Sequence, residues 1–244
     1  MKEISLQLYS IRNPLAEDFQ GSMDKVAKMG YTGVEFAGNY GGMTAKDLKA
    51  FLAEKNLKPV GSHTPVDKLT QNLEEEIAFH QELGMKYMIC PWSDMDTVEK
   101  AKRLAETLNA VGEKVTKAGL VFGYHNHNHE LKNDGGKFPL DVFYELTDPQ
   151  FVKAEIDIYW VTHAGLDPME YLKKYDGRLP LVHLKQMKDL SSKAGCDADD
   201  GFIDFRKAID ISTALGTKEY IYEQEGEEHQ LESAEKSAKY LLTI

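Results

Sequence analysis

Three of the eight histidines of this chain lie within one short stretch, Tyr124-His-Asn-His-Asn-His-Glu130. An apolar run, Leu120-Val-Phe, precedes it and follows a glycine typical of helix ends. We therefore predict a buried strand that ends in polar side chains, and a regular strand places His125, His127 and His129 on one face. Imidazoles at alternate positions indicate a metal or anion site. The simpler alternative is a surface loop of hydrated histidines.

The elements that must position these histidines follow a regular pattern along the chain. Apolar segments predict eight strands, at residues 4–9, 33–37, 58–63, 86–91, 120–130, 152–157, 179–185 and 220–223. Segments of helical periodicity lie between them, at residues 18–29, 44–55, 69–83, 96–117, 140–146, from 167 onward, 204–215 and 232–242. Thr44 is the expected N-cap of its helix, and Asp96 and Glu99 form an expected capping box.

Eight alternating strands and helices predict the fold class. We expect an α/β protein, with a single (β/α)8 TIM barrel forming one domain over residues 1–244. A doubly wound open sheet is the alternative. It is less favoured because no Gly-x-Gly-x-x-Gly follows the first strand and because the evenly spaced units suit closure.

Composition excludes several classes of function. The net charge of −11 argues against sequence-independent binding of nucleic acid, which requires a basic surface. Cys90 and Cys196 are too few and too separated for a disulfide framework or a zinc knuckle, so we expect a cytoplasmic protein. The N-terminus begins directly with a strand pattern and shows no signal peptide. No apolar run is long enough to span a membrane, so no membrane partner is expected.

The predicted strand ends carry the strongest functional signal in the sequence. Active sites of such barrels lie at the C-terminal ends of the strands. The polar or aromatic side chains found there are Gln7, Tyr9, Glu35, His63, Trp92, His125, His127, Glu130, Glu155, Asp157, His183, Lys185, Glu223 and Glu225. The strand middles, in contrast, are rich in Val, Ile, Leu and Phe. Unit after unit therefore places a residue suited to metal binding or proton transfer at one edge of the barrel.

Several segments resemble the xylose isomerase-like TIM barrels, the sugar phosphate isomerase/epimerase superfamily. They are the histidine stretch, Glu155-Ile-Asp-Ile-Tyr-Trp160, His183-Leu-Lys185 and Tyr222-Glu223, together with Gly33-Val-Glu-Phe36 and Gly61-Ser-His-Thr-Pro65. The resemblance covers essentially the whole chain. It implies an enzyme among ketose 3-epimerases, inosose dehydratases and isomerases, with endonuclease IV as a distant relative, and it identifies the reaction poorly.

The resemblance also implies a metal site. Members hold one divalent ion with residues of the fifth to eighth strands, and the matching positions here are Asp157, His183 and Glu223. The fifth-strand position departs from the epimerases, because His125 stands where they have Glu; Asn126 and His127 are its rivals. Since that Glu also exchanges the substrate proton in the epimerases, a symmetric two-carboxylate epimerisation is in doubt. One-base isomerisation, dehydration and other β-eliminations stay open.

Two imidazoles and two carboxylates suit one Mn²⁺, Zn²⁺, Co²⁺ or Fe²⁺ ion better than Ca²⁺, and Mg²⁺ is less expected. The ion would stabilise an enediolate formed when a proton leaves the carbon next to a carbonyl. We expect Glu223 to take that proton and Lys185 to donate to the developing negative charge. His127 stands where relatives contact the substrate and is the third candidate catalytic residue.

The remaining polar and aromatic positions are assigned more simply. The expected substrate-binding residues are Glu35, His63, Trp92, Glu130 and Trp160, and the two tryptophans are candidate sugar-stacking platforms. Glu225 competes with Glu223, since both lie on one face. We expect Glu155 to face the helix layer. The other histidines, His80, His163 and His229, are expected at the surface.

These patterns favour a metal-dependent sugar or polyol isomerase or epimerase. The alternatives are a lyase on the same scaffold, such as an inosose or keto-sugar dehydratase, and a non-catalytic carbohydrate-binding barrel. The expected partner is a small sugar or polyol, unphosphorylated because no Gly-rich phosphate cradle follows the seventh or eighth strand. Such barrels often pair, so a homodimer is possible.

Overall fold

The centre of the protein, described for residues 3–244 by a computed structural model, is a closed barrel of eight parallel strands. These strands are β1 (Ile4–Gln7), β2 (Gly33–Phe36), β3 (Lys58–His63), β4 (Tyr87–Cys90), β5 (Val121–His125), β6 (Lys153–Asp157), β7 (Leu181–Leu184) and β10 (Glu219–Tyr222). A small antiparallel pair, β8 (Gln186–Met187) and β9 (Gly195–Cys196), follows β7. Sequential strands are neighbours all round, and β10 pairs with β1 to close the barrel. The predicted (β/α)8 fold is confirmed.

Helices connect the strands. They are α1 (Arg12–Glu17), α2 (Phe19–Met29), α3 (Ala45–Glu54), α4 (Val66–Gln71), α5 (Leu73–Leu83), α6 (Val98–Lys117), α7 (Pro139–Leu146), α8 (Ile158–His163), α9 (Pro168–Leu172), α10 (Phe205–Ala214) and α11 (Gln230–Leu241). Thr44 caps α3 as predicted, since its side chain accepts from the Asp47 N–H. None of the helices in residues 3–244 is long and apolar enough to cross a membrane.

Some element boundaries differ from the prediction. The N-cap of α6 is Thr97, whose Oγ1 accepts from the Lys100 N–H, and not the predicted Asp96, whose carboxylate accepts from the Lys100 ammonium. The predicted helix at 69–83 is two helices, since Asn72 (φ −129°, ψ 25°) leaves the helical conformation between α4 and α5. The short helices α1 and α8 were not expected from periodicity.

Two apolar layers lie on opposite faces of each strand, and the inner one forms the floor under the polar residues. On β7, Val182 and Leu184 belong to the large core shared with the helices, whereas Leu181 belongs to a smaller buried cluster. The other members of that cluster are Val60, Tyr87, Ile89 and Ile221. Because side chains alternate along a strand, this cluster fills the barrel interior. His183 and Glu223 come two residues after Leu181 and Ile221, so they lie directly above this apolar floor.

An irregularity in β3 brings His63 into the same interior. The register against β2 shifts between Val34 and Glu35, which pair with Pro59 and Gly61 and leave Val60 as an extra residue. Such a bulge changes which face the following side chains occupy. Val60 points into the barrel, and the bulge lets His63, three residues later, reach the interior as well.

The histidine stretch departs from regular strand geometry. β5 ends at His125, and a turn of 3-10 helix spans His129–Leu131. The prediction of a strand alternating through residue 130 was therefore wrong. His127 lies on the cavity wall, whereas the Nε2 of His129 is 2.8 Å from the carbonyl oxygen of Ser93.

Candidate active site

Four ligand-type side chains meet at the C-terminal end of the barrel. His125, Asp157, His183 and Glu223 come from the four adjacent strand positions β5, β6, β7 and the end of β10. One ligand atom from each lies within 4.8 Å of all the others, and all four residues are buried. This is the group of residues predicted from the sequence as metal ligands.

The Asp157 carboxylate fits a cation. Its Oδ1 accepts from the N–H groups of Tyr159 and Trp160 at the start of α8. Its Oδ2 is buried and has no hydrogen-bond partner within residues 3–244. Burial raises the pKa of Asp157 to about 7. A buried carboxylate oxygen without a donor is costly, and a positive ion beside it would remove that cost.

His183 and Glu223 form the other side of the group. The Nδ1 of His183 lies 3.0 Å from Glu223 Oε2, and the Nε2 of His125 lies 3.9 Å from Asp157 Oδ2. Burial alone would raise the pKa of Glu223, but Lys185 and His183 hold it well below its ordinary value, so the group is ionised. Two imidazole nitrogens and two carboxylates match the preferences of Mn²⁺, Fe²⁺, Co²⁺ and Zn²⁺.

Two more carboxylates lie beneath this group, and one of them corrects the sequence analysis. Glu155 does not face the helix layer: it is fully buried inside the barrel, with Oε2 3.0 Å from both His63 Nε2 and His125 Nδ1. It faces inward because it lies two residues before Asp157, on the same face of β6. Glu35 is equally buried, and its Oε2 accepts from Gln7 Nε2 and lies 2.9 Å from His183 Nε2.

The carboxylates and imidazoles of this lower layer balance one another. Burial would lower the pKa of His63, but Glu35 and Glu155 raise it to about 10. Burial and the Glu35 charge would raise the pKa of Glu155, but His183 and His125 lower it to about 2. Burial, together with the charge of His183, lowers the pKa of His125, which is therefore neutral and has a free nitrogen lone pair.

A cavity of about 310 Å³ opens above the four-residue group. Its walls are formed by Tyr9, Ala37, His63, Pro65, Pro91, Trp92, His125, His127, Glu223 and Glu225. Of the predicted substrate-binding residues, His63 and Trp92 line this cavity. So does His127, a candidate catalytic residue whose pKa burial lowers to about 3. The cavity wall therefore combines the neutral imidazoles of His125 and His127, the charged imidazole of His63, two carboxylates and two aromatic rings.

Lys185 lies behind the cavity wall. Its Nζ is 2.6 Å from Glu225 Oε1 and 3.8 Å from Glu223 Oε1, and it packs against the rings of Tyr159 and Trp160. Burial would lower the pKa of Lys185, but the surrounding carboxylates raise it, so the side chain is a cation. It can donate hydrogen bonds at neutral pH but cannot accept a proton.

Three predicted substrate-binding residues do not line the cavity. Glu35 lies in the lower layer, and Trp160 packs between Lys185 and His127. Glu130 is fully buried, accepting from the Tyr124 hydroxyl and from the His127 N–H. These contacts favour a positioning role for Glu35 and Glu130 over direct contact with a substrate.

Asn126, one of the two rivals of His125 as fifth-strand ligand, is hydrogen-bonded to the backbone of the next strand. Its Oδ1 accepts from the Asp157 N–H at 3.0 Å, which ties the end of β5 to the end of β6. The amide oxygen is thus engaged by the backbone, and His125 is the fifth-strand residue that joins the four-residue group.

A closed (β/α)8 barrel with polar groups converging at the C-terminal strand ends is typical of TIM-barrel enzymes. Residues 23–244 match the family described as xylose isomerase-like TIM barrel. The chain belongs to this family.

Individual relatives include several activities. A sugar phosphate isomerase/epimerase from Parabacteroides distasonis superposes with a TM-score of 0.87 at 28% identity, over 100% of this chain and 99% of that one. Inosose dehydratase 2 of Bacillus cereus is 24% identical over 76% of this chain and 69% of its own. The inosose dehydratase of Lacticaseibacillus casei is 25% identical over 77% of this chain and 75% of its own. The family resemblance is confirmed, and its relatives carry isomerase, epimerase and dehydratase names.

Proposed function

We propose that the protein is a metal-dependent isomerase or epimerase of a small sugar or polyol, acting by proton abstraction next to a carbonyl. The observation that carries the proposal is the convergence of His125, Asp157, His183 and Glu223 within 4.8 Å beneath the cavity. A divalent ion held there would act as a Lewis acid on the substrate carbonyl and a neighbouring hydroxyl.

The chain's own groups supply the proton chemistry. Glu223 is ionised, borders the cavity and is the proton acceptor in the proposal. Lys185 is cationic and lies 3.8 Å from Glu223, so it stabilises the negative charge that collects on this side of the site. His127, neutral and on the cavity wall, holds a substrate hydroxyl by accepting or donating one hydrogen bond.

The cavity supports an uncharged substrate. Within residues 3–244 its walls contain no lysine or arginine. The cationic groups beside it are already paired, His63 with Glu155 and the Lys185 ammonium with Glu225. Tyr9 and Trp92 provide exposed aromatic faces at the wall, on which the C–H face of a sugar ring packs. The two cysteines are free thiols, which supports a cytoplasmic location.

A lyase on the same scaffold is the second candidate. Two observations support it: the inosose dehydratase relatives and the histidine at position 125, which cannot act as the second of two exchanging carboxylates. The same acceptor, Glu223, would then remove the proton while a hydroxyl leaves the neighbouring carbon.

Metal content is the first test. Untagged protein purified without added metal is analysed by elemental analysis beside Asp157→Asn and His183→Ala. The proposal predicts a stoichiometric transition metal in the wild type and its loss in both variants, which should keep the wild-type circular dichroism spectrum. If neither wild type nor variants hold metal, and no such ion raises the melting temperature, a non-catalytic sugar-binding barrel becomes the better hypothesis.

The reaction type is then decided in D₂O. Unphosphorylated ketopentoses, ketohexoses and cyclic keto-polyols are incubated with the metal-loaded protein and followed by NMR. An isomerase or epimerase incorporates deuterium next to the carbonyl and forms an isomer of unchanged formula. A dehydratase removes water from the substrate and forms an unsaturated or dicarbonyl product that absorbs ultraviolet light. Absence of both with every substrate contradicts the enzymatic proposal.

A further inference from the structure

Each nitrogen of the two candidate ligand histidines has its own buried neighbour. In His125, Nδ1 lies 3.0 Å from Glu155 Oε2, and Nε2 points toward Asp157 Oδ2 at 3.9 Å. The ring is therefore held from below through Nδ1 and presents Nε2 to the four-residue group.

His183 is held in the opposite sense. Its Nε2 lies 2.9 Å from Glu35 Oε2 and 3.4 Å from Glu155 Oε2, whereas Nδ1 is 3.0 Å from Glu223 Oε2. Here the lower layer occupies Nε2, and Nδ1 faces the group. The two rings thus offer different nitrogens to the same point.

The two lower carboxylates form one unit. The Nε2 of His63 lies 3.2 Å from Glu35 and 3.0 Å from Glu155, and the Gln7 amide donates to Glu35 at 2.7 Å. Both carboxylates are fully buried. Strand register fixes this arrangement, because Glu155 is level with His125 on β5, and Asp157 is level with His183 on β7.

We propose that Glu155 and Glu35 are positioning residues that select the metal-binding nitrogens, Nε2 of His125 and Nδ1 of His183. The inference rests on the proposed metal site and adds a residue layer beneath it. A carboxylate on the far nitrogen fixes the tautomer and ring orientation and makes the imidazole a better donor to a metal. β6 then supplies both a ligand, Asp157, and the residue that orients the neighbouring ligand.

The direct test identifies which nitrogen of each histidine coordinates the metal in the wild-type protein. Zn²⁺-loaded protein carrying ¹⁵N-labelled histidine is examined by long-range ¹H–¹⁵N correlation, with assignments from single His→Gln variants. The expected result is a coordinated Nε2 with a protonated Nδ1 in His125, and the reverse in His183. Coordination through Nδ1 of His125 or Nε2 of His183 overturns the inference.

Affinity measurements test the role of the carboxylates. Glu155→Leu and Glu35→Leu should weaken Zn²⁺ and Co²⁺ binding about 10- to 100-fold in chelator competition, with an unchanged Co²⁺ absorption spectrum. Glu155→Gln and Glu35→Gln should recover part of the loss, because an amide oxygen still accepts from the ring N–H. If a leucine variant does not fold, the matching glutamine variant is measured in its place.

A control and two contrary outcomes complete the design. Tyr31→Phe removes a buried hydrogen bond to the Ala234 carbonyl far from the site and should leave metal affinity unchanged. Wild-type affinity in all four glutamate variants overturns the inference. A complete loss of binding with an altered Co²⁺ spectrum in Glu155→Gln overturns it too, because the metal would then be held directly by His63, His125, Glu155 and His183. A wild type that binds no metal refutes the proposed function itself.

Discussion

Lys185 forms an ion pair with Glu225 of the cavity wall, with 2.6 Å between Nζ and Oε1 and only 2% of the lysine exposed. Glu223, two residues before Glu225, lies 3.8 Å from the same ammonium. The Lys185 ammonium therefore neutralises charge on two carboxylates, the candidate base Glu223 and its competitor Glu225. The tight pairing with Glu225 leaves Glu223 free to border the cavity and His183.

Replacing Lys185 by methionine should lower the rate of the deuterium exchange by about 100-fold, because removing one preorganised donor to developing charge has effects of that size. Metal content should be unchanged, since the lysine lies outside the four-residue group. The rate comes from NMR and the metal from elemental analysis. Lys188→Met is the matched control, an exposed lysine paired with Asp200 on the surface. Wild-type exchange in Lys185→Met would contradict the assigned role.

Trp92 is 53% exposed on the cavity wall, and its ring lies 5.6 Å from that of His129. Trp92→Ala should raise KM by about 2- to 10-fold with little change in kcat, if the ring contact with a sugar is of the same size as a contact between two aromatic side chains, about 0.5–1.5 kcal/mol. Trp92→Phe should keep most of the affinity. Leu146→Ala, which truncates an equally exposed apolar residue outside the cavity, should leave both constants unchanged. A fall in kcat alone would argue against substrate packing.

The barrel was predictable because each strand carries its own signal. Apolar middles such as Leu181-Val182 and polar ends such as His183 recur unit after unit, and closure then places the ends together. The choice of four of those ends as candidate metal ligands came from the resemblance to the xylose isomerase-like barrels. Whether its four residues bind a metal stays a prediction.

The lower layer was missed for a geometric reason. Glu155 shares the face of Asp157 by simple alternation, so its inward orientation was available from the sequence, but its pairing with His125 depends on the stagger between β5 and β6. The inward position of His63 depends on the bulge at Val60, which the hydrophobic periodicity of the sequence does not reveal. The turn after His125 likewise depends on buried contacts of Glu130, a long-range feature of the fold.

His80 was expected at the surface but is fully buried on α5, and this has a consequence for acid stability. Leu73, Ile77 and His80 follow helical spacing, which could have indicated the buried face. Nδ1 of His80 lies 2.7 Å from the Glu76 carbonyl oxygen, and Nε2 has no hydrogen-bond partner within residues 3–244. Burial lowers the pKa of His80 below its ordinary value of 6.5.

The unfolded chain therefore binds a proton that the folded chain excludes. The contribution of neutral His80 to the free energy of unfolding is fully present above about pH 6.5. It is lost as the pH falls toward the lower pKa that His80 has in the folded protein, by up to about 1.4 kcal/mol per pH unit. His80→Leu should remove this component. The free energy of unfolding in urea, measured from about pH 7.5 to 5 with chelator present, should fall less steeply in the variant. Parallel curves for the wild type and His80→Leu would contradict the assignment.

Gly61 and Gly123 lie on barrel strands and differ in what a methyl group would meet. A Cβ at Gly61 would lie 2.5 Å from the backbone oxygen of Tyr87 on β4, whereas at Gly123 the nearest atom is the side-chain Cδ1 of Ile89, at 2.8 Å. A backbone oxygen in a parallel ladder cannot move without breaking the register that pairs Gly61 with Tyr87, but an isoleucine end can rotate. Gly61→Ala should therefore lower the free energy of unfolding by about 3 kcal/mol or more, and Gly123→Ala by about 1 kcal/mol. Urea unfolding of both variants measures these losses. Equal losses of unfolding free energy would mean that the backbone of β3 and β4 moves apart as easily as the Ile89 side chain rotates.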